Sequence, residues 1–474
     1  MEVISSPFTF FDVSNPFQAM WLIFSNGGWF VIGLFLLNQL WRLWMHEIQA
    51  WYFDHIQHVL LAINVPKQTE QTPKSVENIF AHMIGLHEAR GTLKERYWLG
   101  KIQPNFALEL VSDGGNIQYY VRLPRQYRNV FESALFAQYP DAEVAEAPDY
   151  TEPDYHDPIP RKWPNDTHDM WGCEFALERS AVYPIKTHPQ FVDQVSGLFK
   201  DPMASLLEFM STIGPGEKIM IQITCLPTID TIYDKATKEV RKIIKADGGE
   251  DHGGGGIFGG LAISLESWWA AIWRNTLGED FEVGGKTQKR EQAPLPSIMQ
   301  HLSPGEKATV EAIQMKASKP VFLCKVRWMY VGRKEVFKKT TAIGGVVGAF
   351  RQYNTSDCNA WKVESMTKTS VRYLFTNYRV NRRKYLLFRA YWNRSNARGR
   401  NPFFLNIEEL ATMWHFPLID TKAPLISKAV SRRAEPPPQL PMRSMERPRV
   451  DLSPSRDEKE EETKHDVPDN LPFV

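Results

Sequence analysis

The chain reads as an α+β protein: an N-terminal transmembrane helix, then two ferredoxin-like βαββαβ modules, the second carrying a long insertion, and a disordered C-terminal tail. Three observations predict this. From Val13 to Trp41 there are 29 residues without a charged side chain. Beyond that run, period-2 and period-3.6 apolar patterns alternate as strand, helix, strand, strand, helix, strand. Eight prolines between Pro436 and Pro472, beside a basic and then acidic charge run, mark a stretch that cannot bury a core. The 474 residues, 43% hydrophobic, suffice for more than one core, and Lys+Arg 56 against Asp+Glu 55 leaves any electrostatic signal local. Cys173, Cys225, Cys324 and Cys358 are scattered with no CxxC pair, which suits reduced thiols.

After an N-terminal segment, residues 1–19, the span is placed at 20–45. A helix of about 20 apolar residues matches the hydrocarbon thickness, and Trp21, Trp41 and Trp44 fall where indoles favour the membrane interfaces. No Lys or Arg precedes the span while Arg42, Lys67 and Lys74 follow it, so the expectation is a single-pass protein of the cell membrane with a cytoplasmic body. In the first module, 46–150, Val59–Val65 is a strand stopped by Pro66, and Thr72-Pro73 opens a helix. Phe106–Val111, the turn Ser112-Asp113-Gly114-Gly115 and Ile117–Leu123 form a hairpin, followed by a helix over Tyr127–Tyr139 and a strand over Ala142–Ala147. A proline-rich linker covers 151–170. The second module, 171–365, has strands at Glu174–Leu177, Lys218–Thr224, Val321–Tyr330 and Trp361–Val363, and helices at Asp201–Met210, Pro304–Ala317 and Lys334–Tyr353. Its insertion, 228–297, holds a basic helix, a glycine-rich tether and an amphipathic segment, Ile257–Leu277, with Trp268, Trp269 and Trp273. That segment suits a partner-binding helix, a membrane-surface helix or local core.

No catalytic signature emerges. Gly284-Gly285-Lys286-Thr287 ends like a phosphate-binding loop, but Asp280 stands where its first glycine belongs. The glycine run near Gly253 lacks the strand and acidic residue of a dinucleotide site. GxSxG and HExxH are missing as well, so neither an enzyme nor a cofactor or metal site is expected. One segment, 366–425, carries a charge signal. From Ser365 to Ile407 there are ten basic residues and no acid, among them Arg379, Arg382, Arg383, Lys384, Arg389, Arg394 and Arg398, interleaved with Tyr373, Phe375, Tyr378, Tyr385, Phe388, Tyr391 and Trp392. Arginine forks bind phosphates and aromatic faces stack on bases, so the stripe suits nucleic acid or anionic lipid headgroups. The same residues also recur at helical spacing, so an amphipathic helix with core aromatics and solvated or internally paired arginines fits equally. The tail occupies 426–474.

Val59-Leu60-Leu61, Phe136-Ala137-Gln138-Tyr139-Pro140, Met170-Trp171-Gly172, Arg382-Arg383-Lys384 and Leu405-Asn406-Ile407-Glu408-Glu409-Leu410-Ala411-Thr412-Met413-Trp414-His415-Phe416-Pro417 together resemble an uncharacterised bacterial membrane-protein family. Its body is similar to the N-terminal, non-motor region of type IV secretion and conjugation-type ATPases. The likeness covers roughly residues 48 to 425. Where the motor would begin, this chain runs into Pro424 and the proline-rich tail. The resemblance therefore implies a non-enzymatic accessory subunit of a DNA-translocation-like assembly, working beside a separate ATPase or other secretion subunits. Glu408, Glu409 and His415 then become candidates for partner docking, along with the insertion tryptophans. The alternative is a membrane protein that binds nucleic acid or anionic lipid without a secretion role.

Overall fold

The computed structural model describes residues 24–25, 29–66, 71–88, 91–155, 157–193, 195–228, 232–244, 302–418 and 428–429. In chain order the elements are α1 (Trp29–His55), β1 (His58–Pro66), α2 (Pro73–Ile84), α3 (Leu93–Tyr97), β2 (Phe106–Asp113), β3 (Asn116–Pro124), α4 (Arg128–Gln138) and β4 (Glu143–Glu146). Then come β5 (His168–Leu177), α5 (Ala204–Ser211), β6 (Glu217–Pro227), α6 (Tyr233–Ile243), α7 (Pro304–Ser318), β7 (Val321–Arg333), α8 (Lys339–Arg351), β8 (Trp361–Val363), α9 (Thr376–Trp392), β9 (Phe403–Asn406), α10 (Ile407–Met413) and β10 (Lys428–Ala429).

Nine strands pair antiparallel in a single sheet. The path is β1-β3-β2-β6-β7-β5-β8, with β4 on β1 and β9 on β7. The two-residue β10 lies parallel to β1. This overturns the expectation of two separate ferredoxin-like modules. The joint is the β2–β6 pairing, which runs from Phe106 opposite Cys225 to Asp113 opposite Lys218. Both strands are buried along nearly their whole length, so neither serves as a solvated edge and each completes its ladder with the other. The β2–β3 hairpin turns at Gly114 and Gly115, both at positive φ (56° and 92°), where a side chain would be strained.

The two faces of the sheet follow the period of two. Val59, Leu61 and Ile63 of β1, Ile219, Ile221 and Ile223 of β6, and Phe322, Cys324, Val326, Trp328 and Tyr330 of β7 face one large core, shared with α2, α4, α5, α8 and α10. The intervening Leu60, Met220, Met329 and Val331 face a smaller core under α9, with Leu387, Phe388 and Tyr391. A third cluster joins α6, the described part of the insertion, to α7.

The transmembrane helix is the second correction. Among the described residues, no helix is long and apolar enough to cross a membrane. On α1 the charge-free stretch ends at Trp41, and Asn38, Gln39, Arg42, His46 and Glu47 interrupt its apolar character well short of about 20 residues. Lack of charge overstated the run, because amides and imidazoles are costly in hydrocarbon too. Trp41 packs on Tyr97 and Trp44 on Trp98, with ring centroids 5.9 and 6.4 Å apart, so these indoles lean on the α3 region of their own chain. Residues 1–19, Trp21, the insertion from 245 to 297 with Trp268, Trp269 and Trp273, and the tail apart from 428–429 lie outside the described residues.

Candidate functional site

On the α9 side of the sheet, four polar residues stand in one cross-strand row. Glu109 is opposite Gln222, Gln222 opposite Arg327, and Arg327 opposite Glu174. All four are buried, at 0 to 2% exposure. Buried polar groups must be paired, and this row is paired end to end. Gln222 Nε2 donates to Glu109 Oε1 at 2.8 Å, Arg327 Nη1 to Gln222 Oε1 at 3.4 Å, and Arg327 Nε to Glu174 Oε1 at 2.8 Å.

The loop after α9 closes over this row. Arg394, itself buried and at φ 48°, donates to Glu109 at 2.9 Å and to Asp149 at 2.6 Å. Burial opposes its charge, but the carboxylates of Glu109 and Asp149 outweigh burial and raise its pKa well above the ordinary value. Asp149 is lowered in turn: burial pushes it up, and Arg394 more than offsets that. Tyr150 and Tyr391 share a hydroxyl contact of 2.8 Å beside Glu109. Gly399, at φ +91°, lies so close to the Glu174 carboxylate that a Cβ there would clash at 2.3 Å.

The basic stripe thus divides into three groups. Arg394 is an internal partner, and Lys384 is paired with Asp169. Arg383 donates to the carbonyls of Ser365, Lys368 and Ser370, and Arg379 to that of Tyr373, bracing the loop ahead of α9. Arg382 is exposed, as is Arg379 beyond its brace, while Arg389 and Arg398 are partly exposed. At the tip of that loop Tyr373, Leu374 and Phe375 are 76, 78 and 81% exposed, followed by Tyr378 at 70%. Leu374 and Phe375 both adopt positive φ, 39° and 49°, a conformation that costs non-glycine residues about 1 kcal/mol or more each.

Glu408, Glu409 and His415 are buried, at 7, 0 and 1% exposure, and their polar groups have internal partners. Glu409 pairs with Lys316 at 2.9 Å and accepts from the backbone N–H of Ile185, Glu408 pairs with Lys319, and His415 Nε2 lies 3.0 Å from Asp201. The sequence reading passed over the polar row, although a signal was there. In Leu108-Glu109-Leu110, Ile221-Gln222-Ile223, Val326-Arg327-Trp328 and Cys173-Glu174-Phe175 a polar residue is flanked on both sides by apolar ones within a strand, and such a residue must find a partner on the same face.

These features define a class: an α+β protein built on a continuous antiparallel sheet, with a buried polar row beneath a basic, aromatic helix. The chain belongs to the family described as Domain of unknown function (DUF8128), whose model matches residues 57–429, more than half of its length. No curated protein matches it. The family carries no assigned function and so lends no support to a secretion or conjugation role, nor to kinship with secretion ATPases.

Proposed function

We propose that the protein is a non-catalytic docking module that sets the tip ahead of α9 on an anionic phospholipid surface, as a peripheral contact rather than a span. The observation that carries this reading is the exposure of Tyr373, Leu374, Phe375 and Tyr378 on a loop braced by Arg379 and Arg383, with Arg372, Arg379 and Arg382 exposed around it. Apolar side chains held out in water in a strained backbone are costly unless something covers them. Aromatic and aliphatic groups seat at the headgroup boundary while the guanidiniums meet phosphate. Leu374, and Met366 at 78% exposure, favour lipid over nucleic acid, because an aliphatic side chain offers no stacking face to a base.

Vesicle flotation tests it. The full chain is expected to float with phosphatidylcholine vesicles containing phosphatidylserine and to stay behind with phosphatidylcholine alone, with binding that weakens as salt rises. Replacing Leu374 and Phe375 together by Ser is expected to cut binding at least about tenfold without lowering the melting temperature. Equal flotation of wild type and variant sinks the reading, as does binding to single-stranded nucleic acid without binding to vesicles.

A further inference from the structure

Where α1 ends, β1 begins and the loop after α9 crosses over, the surface sinks into a cleft of about 580 Å³. Phe53, Ile56, Leu226 and Trp392 supply apolar wall. Its charged groups come from the row next to the paired one. Arg122 on β3 stands opposite Ala107, and Ala107 opposite Thr224. The short alanine at the centre of that row leaves room where Glu109 fills the row beside it.

Arg122 lines the cleft, and its guanidinium forms no ion pair or hydrogen bond with any described residue. Burial and the neighbouring Arg394 hold its pKa down to about 10, which still leaves it charged at neutral pH. Glu109 and Asp149 favour its charge from a distance, but their hydrogen bonds go to Arg394 instead. The carboxylates on this wall are engaged elsewhere: Asp149 with Arg394 and Glu152 with Arg161, while Asp54 is exposed. Arg398, whose pKa burial and Arg389 both lower, lines the same cleft and has no carboxylate partner among the described residues. A partly buried guanidinium with no carboxylate bound to it is a standing demand for an anion.

Two further polar atoms specify more than charge. His58 Nδ1 lies 2.8 Å from the Ile56 carbonyl oxygen, which can only accept, so the proton sits on Nδ1 and Nε2 offers a lone pair. That Nε2 is buried without a partner. Asn396 Oδ1 accepts the Thr224 hydroxyl, which orients the amide and leaves its buried Nδ2 without an acceptor. Three residues with donor groups, Arg122, Arg398 and Asn396, thus line the cleft together with His58, which carries an acceptor.

We propose that this cleft binds a small organic anion, its carboxylate or phosphate held by Arg122 and Arg398 and its own hydroxyl or amino group donating to His58 Nε2. The acceptor separates this ligand from a bare anion, which has nothing to give the imidazole lone pair. A donor on the ligand thus adds one hydrogen bond in a desolvated place, where an unmade bond is expensive.

Isothermal titration of the full chain with L-malate, succinate and inorganic phosphate decides it. Malate, which has a hydroxyl, is expected to bind saturably at one site and at least about tenfold more tightly than succinate, which lacks it. Arg122→Gln is expected to abolish malate binding while the circular dichroism stays that of the wild type. Should Arg122→Gln fail to fold, Arg398→Gln, at a more exposed position, is expected to weaken malate at least about tenfold. Phosphate that competes with malate supports the shared anion position. Malate and succinate binding alike, variants binding like wild type, or no saturable heat from either malate or phosphate at about 10 mM overturns the proposal.

Discussion

Arg394 and Arg382 are the same residue type twelve positions apart on one basic stripe, and they do unrelated things. Arg382 is exposed, while Arg394 is buried against Glu109, whose position is 285 residues away in sequence. Nothing local distinguishes them, since charge patterning reports only that arginines are present and a partner is a matter of the fold. His58 shows the same dependence in a form that pH exposes. Burial, and then Arg122, lower its pKa to about 3 from an ordinary 6.5. The folded value lies below the unfolded one, so the unfolded chain takes up a proton that the folded chain refuses. The stabilisation is complete above pH 6.5 and is lost as pH falls from there toward 3, at up to about 1.4 kcal/mol per pH unit. The melting temperature is therefore expected to drop between pH 7 and pH 5, above the range where carboxylates titrate, and His58→Phe is expected to flatten that drop. Parallel curves for wild type and variant in differential scanning fluorimetry would remove His58 from the account.

At the scale of elements, one capping motif appears in two settings. Ser303 caps α7 with Glu306 reaching back, and Asn406 caps α10 with Glu409 reaching back. Both place a polar cap three residues before a carboxylate, a pattern readable from sequence alone. Their energies differ because their surroundings do. The Ser303 box lies at an exposed helix end, so Ser303→Ala is expected to cost about 1 kcal/mol. Glu409 also holds Lys316, with the two side chains 0 and 1% exposed. Glu409→Ala would leave a buried ammonium alone and is expected to cost roughly 3 to 5 kcal/mol. Urea denaturation of both variants checks the ratio, and comparable losses would mean that the Lys316 pair adds nothing beyond the cap.

For the whole molecule, the decisive contact is the β2–β6 ladder. The strand orders on its two sides, β4-β1-β3-β2 and β6-β7-β5-β8, meet there without a break, and the core on the α2 and α8 side is shared. Such a sheet is expected to unfold as one unit, with a single calorimetric transition whose van't Hoff and calorimetric enthalpies agree for the part spanning β1 to α10. Two resolved transitions would mean that the halves keep separate stabilities. Local patterns specify the elements: strands from their period of two, helices from caps and period, and the β2–β3 turn from Gly114-Gly115. Each of these depends on residues a few positions apart, whose geometry the backbone dictates. Tertiary contacts are what join the strands in one sheet, give Arg394, Lys384, Glu409 and His415 their internal partners, and leave Arg122 without an ion pair among the described residues. The physical reason is that pairing and desolvation belong to neighbours in space. A charge's partner, such as the one that joins Glu109 to Arg394, can lie hundreds of residues away, beyond the reach of any local pattern.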